Sequence, residues 1–111
     1  MNTVIKTVLV IGALAASTTA LKAADAAELW SKNCVSCHAA DGSGSTTMGK
    51  KYGAKDYRDA KVQADLTDEK ATKAITEGIS EDGKVKMKPF KDKLTPEEIT
   101  ALIAHIRTFK K

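Results

Sequence analysis

The feature that most constrains this chain is the segment Cys34–His38, which reads CVSCH and contains the only two cysteines of the 111 residues. Two thiols on one helical turn can add to the two vinyl groups of a porphyrin. The imidazole that follows is a strong ligand for haem iron. This spacing is the attachment pattern of a c-type haem. We therefore predict one covalently bound haem c, held by Cys34 and Cys37, with His38 as an axial ligand of the iron.

Redox dithiols and zinc sites also use the spacing C-x-x-C, so both are alternatives to haem attachment. No strand–helix–strand pattern surrounds the two cysteines, and no second pair of zinc ligands follows them. A Cys34–Cys37 disulfide would close a loop too short to restrain the unfolded chain appreciably. Both alternatives explain the sequence less well than haem does.

The N-terminus has the layout of a secretory signal peptide. Met1–Lys6 carries one positive charge, Val8–Ala16 is an apolar or small-residue run, and small residues follow. We predict a signal peptide over residues 1–23, although cleavage near Ala20 or Ala26 would also satisfy the small-residue rule. An uncleaved anchor is the alternative, but the run is well short of the roughly 20 apolar residues that span a bilayer.

Cleavage would leave residues 24–111 as one monohaem domain in the periplasm or a thylakoid-lumen-like compartment, with no membrane span. So short a chain buries a small core, and a haem would supply a large apolar body to pack on. Removing Lys6 and Lys22 lowers the 18 basic residues to 16 against 14 acidic ones, a net charge of +2. That excess is too small to indicate nucleic-acid binding. We expect a monomer.

Helix signals account for most of the remaining chain, and no stretch reads convincingly as a strand. Asp25 is the predicted N-cap of a first helix that ends at Asn33, and Thr67 the N-cap of a helix over Asp68–Glu77. One or two helical turns are expected over 59–65. The segment 95–98, TPEE, predicts a capping box for a final helix over Pro96–Phe109. Its buried face is predicted to contain Ile99, Leu102, Ile103 and Ile106. The fold class is therefore all-α.

From residue 25 to 109 the sequence resembles the class I c-type cytochromes, particularly the small monohaem c6/c553-like group. The resemblance rests on a helix running into CVSCH, a Met followed by Pro-Phe in a late loop, and a last helix containing LIAHI. It implies that the N- and C-terminal helices cross around one covalently bound haem. It also implies His38 as the proximal ligand and Met87 as the distal ligand. With both faces of the iron closed, electron transfer is expected rather than catalysis.

The chain departs from that family at three places. Lys88 separates Met87 from the proline that usually follows it directly. No proline lies between His38 and Met48 to accept the second N–H of the imidazole, so the carbonyl of Thr46 or Thr47 is predicted to do so. The helix crossing, often a glycine with an aromatic residue, has an alanine and a histidine here.

Two residues compete with the predicted ligands. Met48 is a second thioether, and His105 is a second histidine, located on the last helix among apolar neighbours. We interpret His105 as a packed or hydrogen-bonded core histidine rather than an iron ligand. Met48 follows the glycine-rich loop so closely that we expect it on the proximal side.

The predicted function is that of a periplasmic electron carrier and not an enzyme. The alternative is a five-coordinate haem sensor or small haem enzyme that binds a gas or peroxide, which would need the Met87 position open. Several lysines flank Met87 and would steer a redox partner with an acidic docking surface. They are Lys84, Lys86, Lys88, Lys91 and Lys93.

Overall fold

The computed structural model describes Gly12 and residues 21–111, so nearly all of the predicted signal peptide lies outside the described residues. Six helices and a two-stranded hairpin make up the described part. In chain order they are α1 (Ala23–Asn33), α2 (Val35–His38), α3 (Thr47–Tyr52), α4 (Ala60–Asp65), α5 (Asp68–Glu77), β1 (Ile79–Glu81), β2 (Lys84–Met87) and α6 (Pro96–Arg107). None of the described helices combines the length and apolar character needed to cross a bilayer.

Helix α6 begins at the predicted capping box. The backbone N–H of Glu98 donates to Thr95 Oγ1 at 3.2 Å, and the Thr95 N–H donates to Glu98 Oε1 at 2.9 Å. Two backbone donors that a helix start would otherwise leave unpaired are therefore satisfied. The predicted apolar stripe is buried as expected. The helix ends at Arg107, slightly before the predicted Phe109.

The first helix starts earlier than predicted, and the assignment of Asp25 as its N-cap is wrong. Helix α1 begins at Ala23, and Asp25 is its third residue. From there its carboxylate accepts the backbone N–H of Lys22 at 3.3 Å. An acidic residue in the first turn also favours the helix electrostatically. Asp25 therefore does mark the start of the helix, but from inside its first turn and not from the N-cap position. The predicted Thr67 cap of α5 is confirmed.

A two-stranded antiparallel hairpin corrects the all-α expectation. Strands β1 and β2 pair Ser80 with Val85 and Glu81 with Lys84, with a bulge at the Ile79 end. Asp82 and Gly83 connect them, both with positive φ, as a two-residue hairpin turn requires. Lys84 and Lys86 alternate with Val85 and Met87, which is a strand pattern, but it extends over only four residues. The Asp-Gly turn signal was also present in the sequence.

The core lies where α1, α5 and α6 meet. Leu102 is its most buried member, with 1% of its surface exposed. Ala26 of α1 is also buried, at 4%. The core cluster contains Trp30, Ala71, Ile75, Phe90, Leu94, Ile99, Leu102, Ile103 and Ile106. Only part of the chain contributes to it, as expected for a domain of this size.

Candidate functional site

The two cysteines lie where α1 passes into α2. The Cys34 N–H donates to Trp30 O at 2.9 Å, which ends α1, and the N–H of His38 donates to Cys34 O at 2.9 Å. Cys34 and Cys37 are both free thiols of intermediate exposure. The predicted single helical turn is therefore present, and it carries both sulfurs and the imidazole of His38.

The surroundings of Cys34 disfavour its thiolate form. Burial, with a smaller contribution from Cys37, raises the pKa of Cys34 to about 12. Burial also raises the pKa of Tyr57, and its proximity to Cys34 adds to that rise. Among the described residues no group of three or more His, Cys, Asp or Glu side chains could hold a metal ion. The site therefore suits neutral sulfur better than a thiolate cluster.

The imidazole of His38 contacts two aromatic rings. Its centroid is 5.4 Å from the Tyr57 ring at an interplanar angle of 22°, and 5.5 Å from the Trp30 ring at 39°. Burial lowers the pKa of His38, so the ring is held in its neutral form. Neutral imidazole is the form that coordinates metal ions. His38 Nδ1 is buried and has no hydrogen-bond partner among the described residues.

The loop after His38 binds the end of this helical turn through its backbone. The Gly44 N–H donates to His38 O at 2.9 Å. Thr46 Oγ1 donates to Cys37 O at 2.9 Å and accepts the Gly49 N–H at 2.8 Å. The predicted hydrogen bond from His38 to the Thr46 or Thr47 carbonyl is not made. Thr46 acts instead through its side chain, which caps a helix the sequence analysis missed.

That missed helix, α3, packs closely under the cysteine segment. A Cβ added to Gly49 would collide with the carbonyl oxygens of Cys37 and Gly44. Glycine is therefore required here for close backbone approach rather than for a special φ. Thr46 was a readable N-cap signal, but the six residues of α3 are too few to show helical periodicity.

Met87 ends β2 and is half-buried against the core cluster. Its backbone packs against Gly78 at the end of α5, where a Cβ would collide with Met87 O. The chain beyond it is fixed to the same helix, since the Phe90 N–H donates to Ile75 O at 2.9 Å. Lys88 is thus accommodated in a loop with both ends anchored. Met48, the competing thioether, is 42% exposed on α3.

His105 is packed among aromatic rings, as predicted. Its ring centroid is 5.6 Å from Trp30 and 5.0 Å from Phe109, the latter edge to face. Burial lowers its pKa. These ring contacts give His105 a packing role.

The packing of α1 against α6, with the CxxCH turn directly after α1, defines a small c-type cytochrome. A family model described as cytochrome C oxidase, cbb3-type, subunit III matches residues 21–106. The chain belongs to this cytochrome c family. It therefore carries covalently bound haem c and takes part in haem-based electron transfer.

Solved structures agree with this assignment. The KustC0563 c-type cytochrome is 42% identical, with 78% of this chain and 98% of that chain covered and a TM-score of 0.70. A Kustc0563 mutant with a tyrosine replaced by phenylalanine is also 42% identical, with coverages of 78% and 99% and a TM-score of 0.68. Curated proteins gave no match.

Proposed function

We propose that this chain is an exported single-haem electron carrier that passes one electron at a time between protein partners. The observation that carries the proposal is the position of His38, a half-buried neutral imidazole on the same helical turn as two free thiols. When bound, haem supplies an iron that cycles between the ferric and ferrous states. The protein's part is to hold that group and control access to it.

The residues present fit a covalently held haem. Cys34 and Cys37 would each form a thioether, which is neutral and therefore suits a site that strongly disfavours thiolate. His38 would be one axial ligand; its buried Nδ1 leaves Nε2 for the iron. Met87 would be the other, since it is half-buried beside the core in a loop anchored to α5. Two soft or neutral ligands of this kind favour electron transfer.

A carrier is preferred to an enzyme because Met87 would close the face that a substrate needs. The rival function is a five-coordinate haem sensor or small haem enzyme. It requires Met87 to lie away from the iron. The anchored backbone around Met87 argues against a freely mobile loop.

Absorption spectra of the holoprotein, produced with export to the periplasm, test the proposal. We expect a covalent low-spin c-type haem with the weak far-red ferric band of thioether ligation. Met87→Ala should abolish that band and produce high-spin haem. Met48→Ala is the matched control and should leave the spectrum unchanged, because Met48 is exposed on α3. High-spin haem in the unmodified protein would favour the sensor.

We further propose that residues 1–23 form a cleaved signal peptide and that the mature chain is a periplasmic monomer. N-terminal sequencing of the exported protein tests the cleavage site. The burial of Ala26 supports cleavage before this residue, since later cleavage would remove a core residue. A mature chain starting after Ala26 would contradict this.

A further inference from the structure

We propose that Trp30 and Tyr57 act as a ring clamp that fixes the orientation of the His38 imidazole in place of a hydrogen bond to Nδ1. This inference rests on the proposed role of His38 as an iron ligand. A ligating histidine is ordinarily oriented by a partner that accepts its second N–H. In the described structure Nδ1 is buried without such a partner, so another contact must hold the ring.

The two clamp rings contact the imidazole from different elements. Tyr57 is nearly parallel to it, at 22° and 5.4 Å between centroids. Trp30, from α1, is tilted by 39° at 5.5 Å. Aromatic rings at these separations are in contact and together restrict rotation about the histidine side-chain bonds. Apolar contact therefore replaces a directional hydrogen bond.

The Trp30 ring is held through its own N–H, and Tyr57 is held through its backbone. Trp30 is 3% exposed, and its indole Nε1–H donates to Ala39 O at 3.0 Å. The Tyr57 N–H donates to Gly42 O at 2.8 Å, and its carbonyl accepts Gln63 Nε2–H at 2.7 Å. Because these bonds fix the residues that contribute the rings, the clamp is preorganised before anything binds to the imidazole.

The backbone carbonyl groups around His38 do not accept a hydrogen bond from Nδ1. The carbonyl of His38 accepts from Gly44, and that of Cys37 accepts from Thr46. The carbonyl of Ala39 accepts from the indole N–H of Trp30. The three carbonyls from 37 to 39 thus bind other donors while the ring nitrogen binds none.

The test uses ferric holoprotein and the proton NMR shifts of the four haem methyl groups, which respond to the direction of the axial imidazole plane. Tyr57→Phe keeps the ring and should retain the wild-type order and spread of these shifts. Tyr57→Leu removes the ring and should redistribute them, with a change in electron paramagnetic resonance anisotropy. Tyr52→Leu is the matched control, since Tyr52 lies on α3 and its ring contacts Lys51. It should leave the shifts unchanged.

Unchanged methyl shifts in Tyr57→Leu would overturn the clamp. Should that variant fail to take up haem, Tyr57→Met fills the space without a ring and is judged by the same readouts. Failure of the proposed function looks different: the unmodified protein would then lack a low-spin His-ligated spectrum. A low-spin wild type with an unresponsive Tyr57→Leu variant would contradict the clamp alone.

Discussion

The side-chain amide of Gln63 donates to the carbonyl of Ile106 at 2.8 Å, joining α4 to the last helix. The same amide nitrogen donates to Tyr57 O at 2.7 Å, and Gln63 Oε1 accepts from Arg107 at 2.9 Å. Gln63 is 6% exposed, which is unusual for a glutamine. Its complete set of bonds explains how a polar side chain is stabilised there.

Gln63→Leu should destabilise the protein by about 1–3 kcal/mol, because it leaves the Tyr57 carbonyl without its donor and leaves the Ile106 carbonyl with only backbone N–H donors such as that of Phe109. Chemical denaturation followed by circular dichroism measures this. Asp68→Asn is the control: it removes an ion pair with Arg107 in which Asp68 is 81% exposed, and such pairs are worth about 0–1 kcal/mol. Equal effects of the two substitutions would contradict the role assigned to Gln63.

Gly49→Ala should cost about 3 kcal/mol, the upper end of the usual cost of overpacking. Its Cβ would meet two backbone carbonyls, which cannot turn away as a side chain could. Gly53→Ala is a matched control in open space, and its positive φ should cost only about 1 kcal/mol. Thermal unfolding of both holoproteins gives the comparison. A Gly49→Ala variant as stable as the wild type would refute close packing of α3 under the cysteine turn.

His105 should make the protein less stable in mild acid. Its pKa is lowered in the folded state by burial, so the unfolded chain binds a proton more readily. Stability should therefore be unaffected above the unfolded pKa of about 6.5 and fall as pH drops from there through the lower folded pKa. His105→Gln should show a smaller loss of stability between about pH 7.5 and pH 5 than the wild type. Parallel pH profiles would rule out this contribution.

The lysines around Met87 should make electron transfer to an acidic partner salt-dependent. Neither Lys84 nor Lys91 forms an ion pair with a described residue, and both are exposed, so their charge is available to a partner. Raising salt from about 0.01 M to 1 M shortens the screening length from about 30 Å to 3 Å, and the bimolecular rate should fall. Stopped-flow mixing with an acidic redox protein measures it.

Charge reversal localises the effect. Lys91→Glu should slow association at low salt more than Lys61→Glu, which makes the same change on α4. Rates that ignore ionic strength, or equal slowing by both variants, would contradict docking beside Met87.

Local sequence signals predicted the elements that carry their own start and stop residues. Thr95 and Thr67 both cap the helices assigned to them, and the apolar spacing of α6 identified its buried face. Asp59 likewise caps α4, which lies within the helical turns predicted over 59–65. These features depend on neighbours within a few positions, so a single sequence is sufficient to reveal them.

Features that depend on distant contacts were missed. The contact of Tyr57 with His38, the burial of Gln63 and the tight fit of Gly49 each join segments that are far apart or lie in loops. The hairpin was missed because its strands have only three and four residues and are largely exposed, so the alternation of polar and apolar residues is too short to stand out. Pattern alone cannot specify such placements.

The packing of α1 against α6 also sets an order in time. Trp30 is covered in part by Phe109, whose ring centroid lies 5.1 Å away. A chain delivered from its N-terminus presents residues 34–38 long before Phe109 arrives. The two cysteines therefore pass through a stage in which the last helix has not yet packed against α1. Haem can be attached during that stage, before α6 packs against α1 and completes the fold.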